Sequence, residues 1–143
     1  MNAANAKILD WNVLDLDYES EADRIAARLR EITARQLHRR GLVVAISGGI
    51  DSSASVSLAV RALGPERVFG LILPERDSSD DSAARANILA QHLGIRTETV
   101  DIAPALDAIG SYPARDNAMR NTLPEYGDGW KFKIVIDGGI EGR

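Results

Sequence analysis

The sequence predicts an α/β fold built on a parallel β-sheet. Two short apolar runs, residues 42–46 and 67–73, are typical of strands that are buried on both faces of such a sheet. Between them, residues 53–63 have the spacing of apolar side chains expected of a helix, which Gly64 and Pro65 end. A strand, a helix and a second strand in this order predict a βαβ unit, whose strands carry polar loops at one edge of the sheet.

Composition excludes several classes of protein. The 143-residue chain suffices for one globular domain, and its net charge of -4 gives no basic field for nucleic acid, so we expect no nucleic-acid partner. The absence of cysteine excludes a disulfide framework and thiolate metal sites within these residues. Neither a signal-peptide pattern nor a long apolar run is present, so we expect no membrane contact and a cytoplasmic location.

The N-terminal part predicts an arm and a helix. Residues 1–19 are interpreted as an arm, either ordered through Trp11 or flexible, and residues 20–143 as the domain. Ser20 and Asp23 approximate a capping box, and Gly41 is expected to end the helix. One face of this helix is apolar and comprises Ile25, Leu29, Ile32 and Leu37. The other face is basic and is either solvated or a partner surface; it comprises Arg24, Arg28, Arg30, Arg35, Arg39 and Arg40.

Further elements follow along the chain. We expect a helix over residues 80–92 that Gly94 closes, a third strand over 96–101, and a short amphipathic turn within 101–109. A helix over 117–123, a loop over 124–129 and a final strand over 131–136 complete the prediction. His38 and His92 fall at predicted helix ends without a catalytic or metal-binding partner, so we interpret both as partners of helix dipoles.

The loop between the first strand and its helix has the character of a phosphate-binding loop. It consists of Ser47, Gly48, Gly49, Ile50, Asp51, Ser52 and Ser53. The first N–H groups of a helix lack intrahelical partners and lie at the positive end of its dipole, so they favour an anion. The two glycines allow positive φ and a close approach of the backbone, and the serines add hydroxyl donors. Asp51 would repel a bare phosphate, which predicts a divalent cation in the same site.

Two better-known phosphate-binding motifs do not fit this loop. The P-loop requires a lysine, and the dinucleotide fingerprint requires glycines that are not adjacent. A polar turn with a serine N-cap is the interpretation that needs no ligand. Ser78 and Ser79 follow the second strand at the same predicted edge of the sheet. They either bring hydroxyls near the same ligand or act only as a helix N-cap.

The loop resembles the Ser-Gly-Gly-x-Asp-Ser motif of the ATP pyrophosphatases, which cleave ATP to AMP and pyrophosphate. Two further pieces match in order and spacing: the run from Val68 to Pro74 with Ser78 and Ser79 after it, and Ala90-x-x-Leu93-Gly94-Ile95. Together, residues 42–102 resemble the first half of an NAD synthetase.

The resemblance implies a fold, a reaction and site residues. The fold is a Rossmann-like, doubly wound parallel sheet of the adenine nucleotide alpha hydrolase type, incomplete in this chain. The reaction amidates deamido-NAD with ammonia, ATP and Mg²⁺ in a homodimer. Asp51 is the implied magnesium ligand, and the catalytic residues stay unidentified. The implied ATP-binding residues are Ala45, Ile46, Ser47, Gly48, Gly49, Ile50, Asp51, Ser52, Ser53, Ser78 and Ser79.

The sequence departs from the family in two respects. A later Gly-Thr-x-Asn segment, with a glutamate that completes the magnesium site, does not occur, so the chain is expected to be truncated and inactive alone. Arg85 stands where many members carry an acidic residue. Two alternatives therefore stay open: an amidotransferase of the same superfamily that acts on another acceptor, and a non-catalytic module that binds adenine nucleotides.

Overall fold

The computed structural model describes residues 15–127 and 129–130, with Asp80 described by its backbone alone. Its strands are β1 (Leu42–Ala45), β2 (Val68–Ile72) and β3 (Arg96–Thr99). Its α-helices are α1 (Tyr18–Glu31), α2 (Ile50–Leu63), α3 (Asp80–Leu93), α4 (Ala103–Ala108) and α5 (Ser111–Thr122). The chain divides into one compact unit that ends at Ile102 and a second that begins at Ala103. The division into an arm of residues 1–19 and a domain of residues 20–143 stays a prediction.

The α/β prediction is confirmed by a parallel sheet in the first unit. Its described strands lie in the order β1-β2-β3, with Val43 opposite Phe69 and Phe69 opposite Arg96. Hydrogen bonds continue past the strand ends, since the Ile46 N–H donates to Leu71 O at 2.8 Å and the Val100 N–H to Ile72 O at 2.9 Å. The three predicted strands are therefore confirmed, with ends that differ by one or two residues.

The core lies between one face of the sheet and helices α2 and α3. Right-handed connections between neighbouring parallel strands place both helices on that face. Alanines on both helices have small side chains that let the helices pack closely, and Val56 of α2 is completely buried. The buried core residues are Ile46, Val56, Ala59, Val68, Ile72, Ala86, Ala90 and Ile95.

The opposite face of the sheet is less covered than the sequence predicts. Val43 points to this face and is 64% exposed, and Phe69 and Leu71 on the same face are only partly buried. The prediction that residues 42–46 are buried on both faces is therefore wrong for this structure. The physical reason is that both connecting helices lie on the other face.

Helix α1 begins earlier than predicted. Its N-cap is Asp17, whose carboxylate accepts hydrogen bonds from the N–H groups of Glu19 and Ser20 at 3.1 and 3.2 Å. An aspartate carboxylate at this position caps the free N–H groups of the first turn, so the predicted cap at Ser20 is wrong by three residues. The helix packs on α2, where Arg61 makes ion pairs with Glu19 and Asp23.

The end of this helix also differs from the prediction. A π-helical turn, Ile32–Gln36, continues α1, and the helical path stops well before Gly41. His38 directly follows the C-cap residue Leu37 and has a positive φ of 50°, and His92 lies in the last turn of α3. Both histidines therefore lie at helix ends as predicted, and their role as dipole partners stays a prediction. Gly41 serves a different purpose, because a β-carbon there would collide with the Arg67 carbonyl oxygen. Leu37, predicted to be on the apolar face, is 53% exposed.

The basic face of α1 is partly engaged. Arg24 pairs with Glu21 and Arg28 with Glu31 along the helix surface. Arg30 donates instead to the Ala62 carbonyl of α2 at 3.1 Å, which ties the two helices together. The solvated interpretation therefore describes Arg24 and Arg28 well, while Arg30 has a structural role.

The second unit contains α4 and α5. The predicted turn within residues 101–109 is confirmed as α4, and the helix predicted over 117–123 begins six residues earlier as α5. Tyr112 is buried, with the Arg115 guanidinium 5.4 Å from its ring centroid. The predicted strand over 131–136 and the apolar arm around Trp11 lie outside the described residues. None of the described helices has the length and apolar character needed to cross a membrane.

Acid should weaken the cap of α1. Hydrogen bonds from Ser20, its backbone N–H first, lower the pKa of Asp17 below its usual value. Ionised Asp17 therefore stabilises the fold above the unfolded-state pKa of about 3.9, and this contribution is lost as pH falls through the lower folded-state pKa. We expect Asp17→Asn to be less stable than the unsubstituted chain at pH 7, with a difference that shrinks on acidification. Urea unfolding across pH measures it.

The matched control for that experiment is Glu125→Gln, an exposed carboxylate outside the helix. It should show no such pH-dependent difference. A constant gap between Asp17→Asn and the unsubstituted chain down to pH 2 would contradict the role of the ionised cap.

The free edge of β1 predicts self-association. Within the described residues β1 pairs only with β2, so its other edge presents unpaired N–H and C=O groups next to exposed Val43. Such an edge is a template for pairing with another chain. We expect sedimentation to show a dimer or higher oligomer. A monomer at high concentration, with the amides of residues 42–46 strongly protected from exchange, would show that another part of this chain covers the edge.

Candidate functional site

The predicted phosphate-binding loop lies at the carboxyl end of β1 and leads directly into α2. The helix begins at Ile50 with Gly49 as its N-cap, so it starts three residues before the predicted position. Asp51, Ser52 and Ser53 consequently belong to its first turn. The free N–H groups at a helix start therefore lie within the loop itself, as an anion site requires.

The hydroxyl groups of the loop bond to one another and to its backbone. Ser52 Oγ lies 3.1 Å from Ser47 Oγ, accepts from the Ser47 N–H at 3.2 Å and donates to the Gly49 carbonyl at 3.0 Å. Ser53 Oγ donates to the same carbonyl at 2.8 Å. These hydrogen bonds stabilise the conformation of the loop. An anion bound at the loop would replace some of the hydrogen bonds that the three serines make.

Gly48 is the position that determines how the loop packs. Its φ is +77°, a conformation that side chains disfavour. A β-carbon there would lie 2.6 Å from the Ser82 carbonyl oxygen and 3.0 Å from Arg85 Cβ, both on α3. The loop backbone therefore rests directly against α3, and only glycine permits this contact.

The second glycine behaves differently from the prediction. Gly49 has an ordinary extended conformation, with φ -85° and ψ 163°, because it is the N-cap of α2. A β-carbon there would lie 3.4 Å from Ser47 Oγ, which is ordinary contact. The prediction that both glycines use positive φ is therefore correct for Gly48 and wrong for Gly49.

The apolar members of the predicted site occupy different surroundings. Ile46 is buried in the core beneath the loop, whereas Ala45 is exposed on the other face of the sheet. Ile50 is 84% exposed at the first position of α2. Only Ile46 among these three lines the pocket described below.

The loop after β2 comes to the same edge of the sheet, as predicted. Ser78 Oγ accepts from the Glu75 N–H at 3.0 Å, and the Ser78 N–H donates to the Glu75 carbonyl at 3.0 Å. Ser79 is the N-cap residue of α3, but its hydroxyl makes no cap bond to the backbone and lies 2.7 Å from Ser82 Oγ. The Ser79 hydroxyl therefore does not serve as a helix cap. The hydrogen bonds of Ser78 stabilise the turn between Glu75 and Ser78.

A pocket of about 100 Å³ joins the two loops. Its walls are apolar, and its rim carries four hydroxyl groups. The lining residues are Ile46, Ser47, Ile72, Leu73, Pro74, Ser78, Ser79, Ser82 and Ala83. Ser47, Ser78 and Ser79 are thus brought together, as the sequence predicts. The sequence analysis did not predict Ser82 as a site residue. The Ser79-x-x-Ser82 spacing could have indicated it, because residues three apart lie on one side of a helix.

The charges around this pocket are few. Asp51 is exposed at the start of α2, and Arg85 pairs with Asp81 across one turn of α3 at 3.3 Å. Among the described residues, no three His, Cys, Asp or Glu side chains are grouped to hold a metal ion. Asp51 is nevertheless a hard oxygen donor suited to Mg²⁺, which proteins often bind through one carboxylate and the phosphates of a ligand.

A glycine-containing loop between a parallel strand and a helix, with a pocket at the carboxyl edge, is the arrangement typical of nucleotide-binding α/β domains. Within that class, residues 21–124 match the NAD synthase family, and the chain belongs to this family.

Curated relatives agree with this membership. The chain is 46% identical over 138 residues to an NH3-dependent NAD+ synthetase from Rhizobium meliloti, in a match that covers 96% of this chain and 41% of the relative. It is 47% identical over 129 residues to the corresponding protein from Mesorhizobium japonicum, covering 90% of this chain and 40% of the relative. The chain thus spans about two-fifths of the length of these relatives.

Solved structures show the same fold. An NH3-dependent NAD synthetase from Campylobacter jejuni, in complex with nitrate, superposes with a TM-score of 0.62 at 25% identity, covering 76% of this chain and 50% of the other. An NMN synthetase from Francisella tularensis superposes with a TM-score of 0.52 at 28% identity, covering 66% and 40%. The incomplete Rossmann-like fold predicted from the sequence is therefore confirmed.

The two glycines of the loop should differ in their response to substitution. Gly48→Ala forces a side chain into a left-handed conformation and against the α3 backbone, so we expect a loss of about 1–3 kcal/mol in the free energy of unfolding. Gly49→Ala is the matched control and should change it by less than about 1 kcal/mol. Urea unfolding followed by circular dichroism measures both values. Equal losses would contradict the different conformations of the two positions.

Proposed function

We propose that this chain is the ATP-binding part of an ATP-dependent ligase that forms NAD from deamido-NAD and ammonia. The observation that carries the proposal is the phosphate-binding loop at the start of α2, held against α3 through Gly48 and continuous with a hydroxyl-rimmed pocket. Membership of the NAD synthase family supports the reaction, and the similarity to NH3-dependent NAD+ synthetases supports ammonia as the nitrogen donor.

The triphosphate of ATP fits the loop by its chemistry. The N–H groups at the start of α2 and the hydroxyls of Ser47, Ser52 and Ser53 are donors for phosphate oxygens. The internal hydrogen bonds of these hydroxyls, 2.8 to 3.2 Å long, exchange for bonds to phosphate when ATP binds. These hydrogen bonds restrict the loop to one conformation, which reduces the entropy lost on binding.

The purine ring fits the pocket next to the loop. Its apolar walls, Ile72, Leu73 and Pro74 among them, suit a flat ring, and Ser78 and Ser79 place hydroxyls at the rim. A volume of about 100 Å³ accepts only part of a nucleotide, so the phosphates must lie outside it along the loop. We therefore assign ATP binding to Ile46, Ser47 to Ser53, Ser78 and Ser79, with exposed Ala45 contributing through its backbone.

The chemistry that follows needs ATP because a carboxylate is a poor electrophile. A carboxylate oxygen of deamido-NAD attacks the α-phosphorus, the bond to the bridging oxygen breaks, and pyrophosphate leaves. Ammonia then attacks the carbonyl carbon, loses a proton, and AMP leaves with the former carboxylate oxygen. The loop's donors stabilise the charge on the departing pyrophosphate. Asp51 would hold Mg²⁺, which neutralises phosphate charge when bound.

Binding of ATP with Mg²⁺ is the direct test. Isothermal titration of the 143-residue chain, Asp51→Asn and Gly49→Val should show the tightest binding for the unsubstituted chain. Asp51→Asn removes the proposed metal ligand, and Gly49→Val puts a bulky side chain beside Ser47 Oγ at the loop. Asp51→Asn should lose affinity mainly in the presence of Mg²⁺, which separates the metal's role from loop damage. Equal affinity in all three proteins would refute the proposal.

A second candidate concerns the acceptor. The likeness to an NMN synthetase favours a related ligase that adenylates the same kind of carboxylate on a smaller nucleotide. ATP chemistry would be shared, since both reactions adenylate a carboxylate. Product analysis on the full-length protein, with ammonia and either deamido-NAD or its mononucleotide counterpart, distinguishes the two by which substrate yields amide.

A non-catalytic role is the third possibility for the isolated chain. Among residues 15–127 and 129–130, no three His, Cys, Asp or Glu side chains are grouped to hold a metal ion. We expect this chain alone to bind ATP without releasing pyrophosphate, so release would refute that expectation. For the parent protein we propose a cytoplasmic homodimer that uses ATP, deamido-NAD and ammonia.

A further inference from the structure

The phosphate-binding loop carries no positive side chain of its own. Residues 47–53 include no lysine or arginine, and Asp51 adds a negative charge. A triphosphate brings several more negative charges to the same place. A neighbouring cationic side chain would therefore strengthen binding considerably.

Arg85 is placed to supply that charge. The β-carbon position of Gly48 lies 3.0 Å from Arg85 Cβ, so the stem of the arginine starts at the wall of the loop. Ser82 lies one turn earlier on the same face of α3, and it lines the pocket beside the loop. The Arg85 side chain therefore begins next to the loop, at Cβ, and is largely exposed to solvent.

The current partner of Arg85 is easily exchanged. Its only ion pair among the described residues joins it to Asp81 at 3.3 Å, and the two side chains are 67% and 76% exposed. Exposed pairs of this kind contribute little to stability, and Asp81 would stay hydrated after the pair breaks. A phosphate group offers the guanidinium a stronger, bidentate partner.

We propose that Arg85 binds the phosphate groups of ATP and acts as the mobile cation that the loop itself lacks. This inference rests on the proposed function of the loop, and it assigns Arg85 to the triphosphate rather than to the purine ring. Arg85 exchanges Asp81 for phosphate when ATP binds, so Asp81 competes with the ligand.

Titration of ATP, pyrophosphate and adenosine into the chain tests this assignment. Arg85→Ala should weaken ATP and pyrophosphate about tenfold, the loss of one charge-assisted hydrogen-bonded contact, and should leave adenosine unchanged. Arg85→Lys should recover part of the loss because it keeps the charge without the planar fork. Asp81→Asn should bind ATP as tightly as the unsubstituted chain or tighter, since the competing carboxylate is gone.

Arg28→Ala is the matched control, since Arg28 is also an exposed arginine in an intrahelical ion pair, with Glu31. It should bind ATP like the unsubstituted chain. If Arg85→Ala also binds ATP and pyrophosphate like the unsubstituted chain, the role of Arg85 is refuted while the proposed function stands. Failure of the unsubstituted chain to bind ATP would refute the proposed function and this inference with it.

Discussion

The contact between Gly48 and α3 is the constraint on which the site depends. The loop backbone can rest on the Ser82 carbonyl only because residue 48 has no side chain and adopts a positive φ. This contact fixes the end of β1 against the start of α3. The pocket lies between those two elements, so its shape follows from the same contact. The close backbone contact at Gly48 thus connects β1, α2 and α3.

The fold was largely predictable because its pattern is local. Apolar runs of four or five residues, separated by helices that glycine ends, specify neighbouring parallel strands without further information. Burial was harder to predict. Val43 and Val44 look alike in sequence, yet they point to opposite faces, and only one face is covered by α2 and α3. Which face a strand presents to solvent depends on where the connecting helices pack.

The sequence predicted which residues form the site better than it predicted their conformations. The motif identified Ser47 to Ser53, and its strand and helix context identified the edge of the sheet. The sequence could not predict that Gly48 and Gly49 adopt different conformations, because the difference depends on the residue at which α2 begins. Ser82 was missed since a serine inside a predicted helix normally faces solvent. Its place in the pocket depends on how closely α3 approaches the loop.

The strand order β1-β2-β3 has a consequence for how the protein forms. Each strand pairs with the strand that follows it in sequence, and each connecting helix covers the pair it joins. Paired residues of neighbouring strands are thus separated by one βαβ unit, with Leu42 opposite Val68 and Phe69 opposite Arg96. During synthesis from the N-terminus, the described residues that bond to or pack on the phosphate-binding loop have all left the ribosome once β3 has emerged. The loop and the pocket beside it can therefore assemble before the residues that follow β3 have emerged.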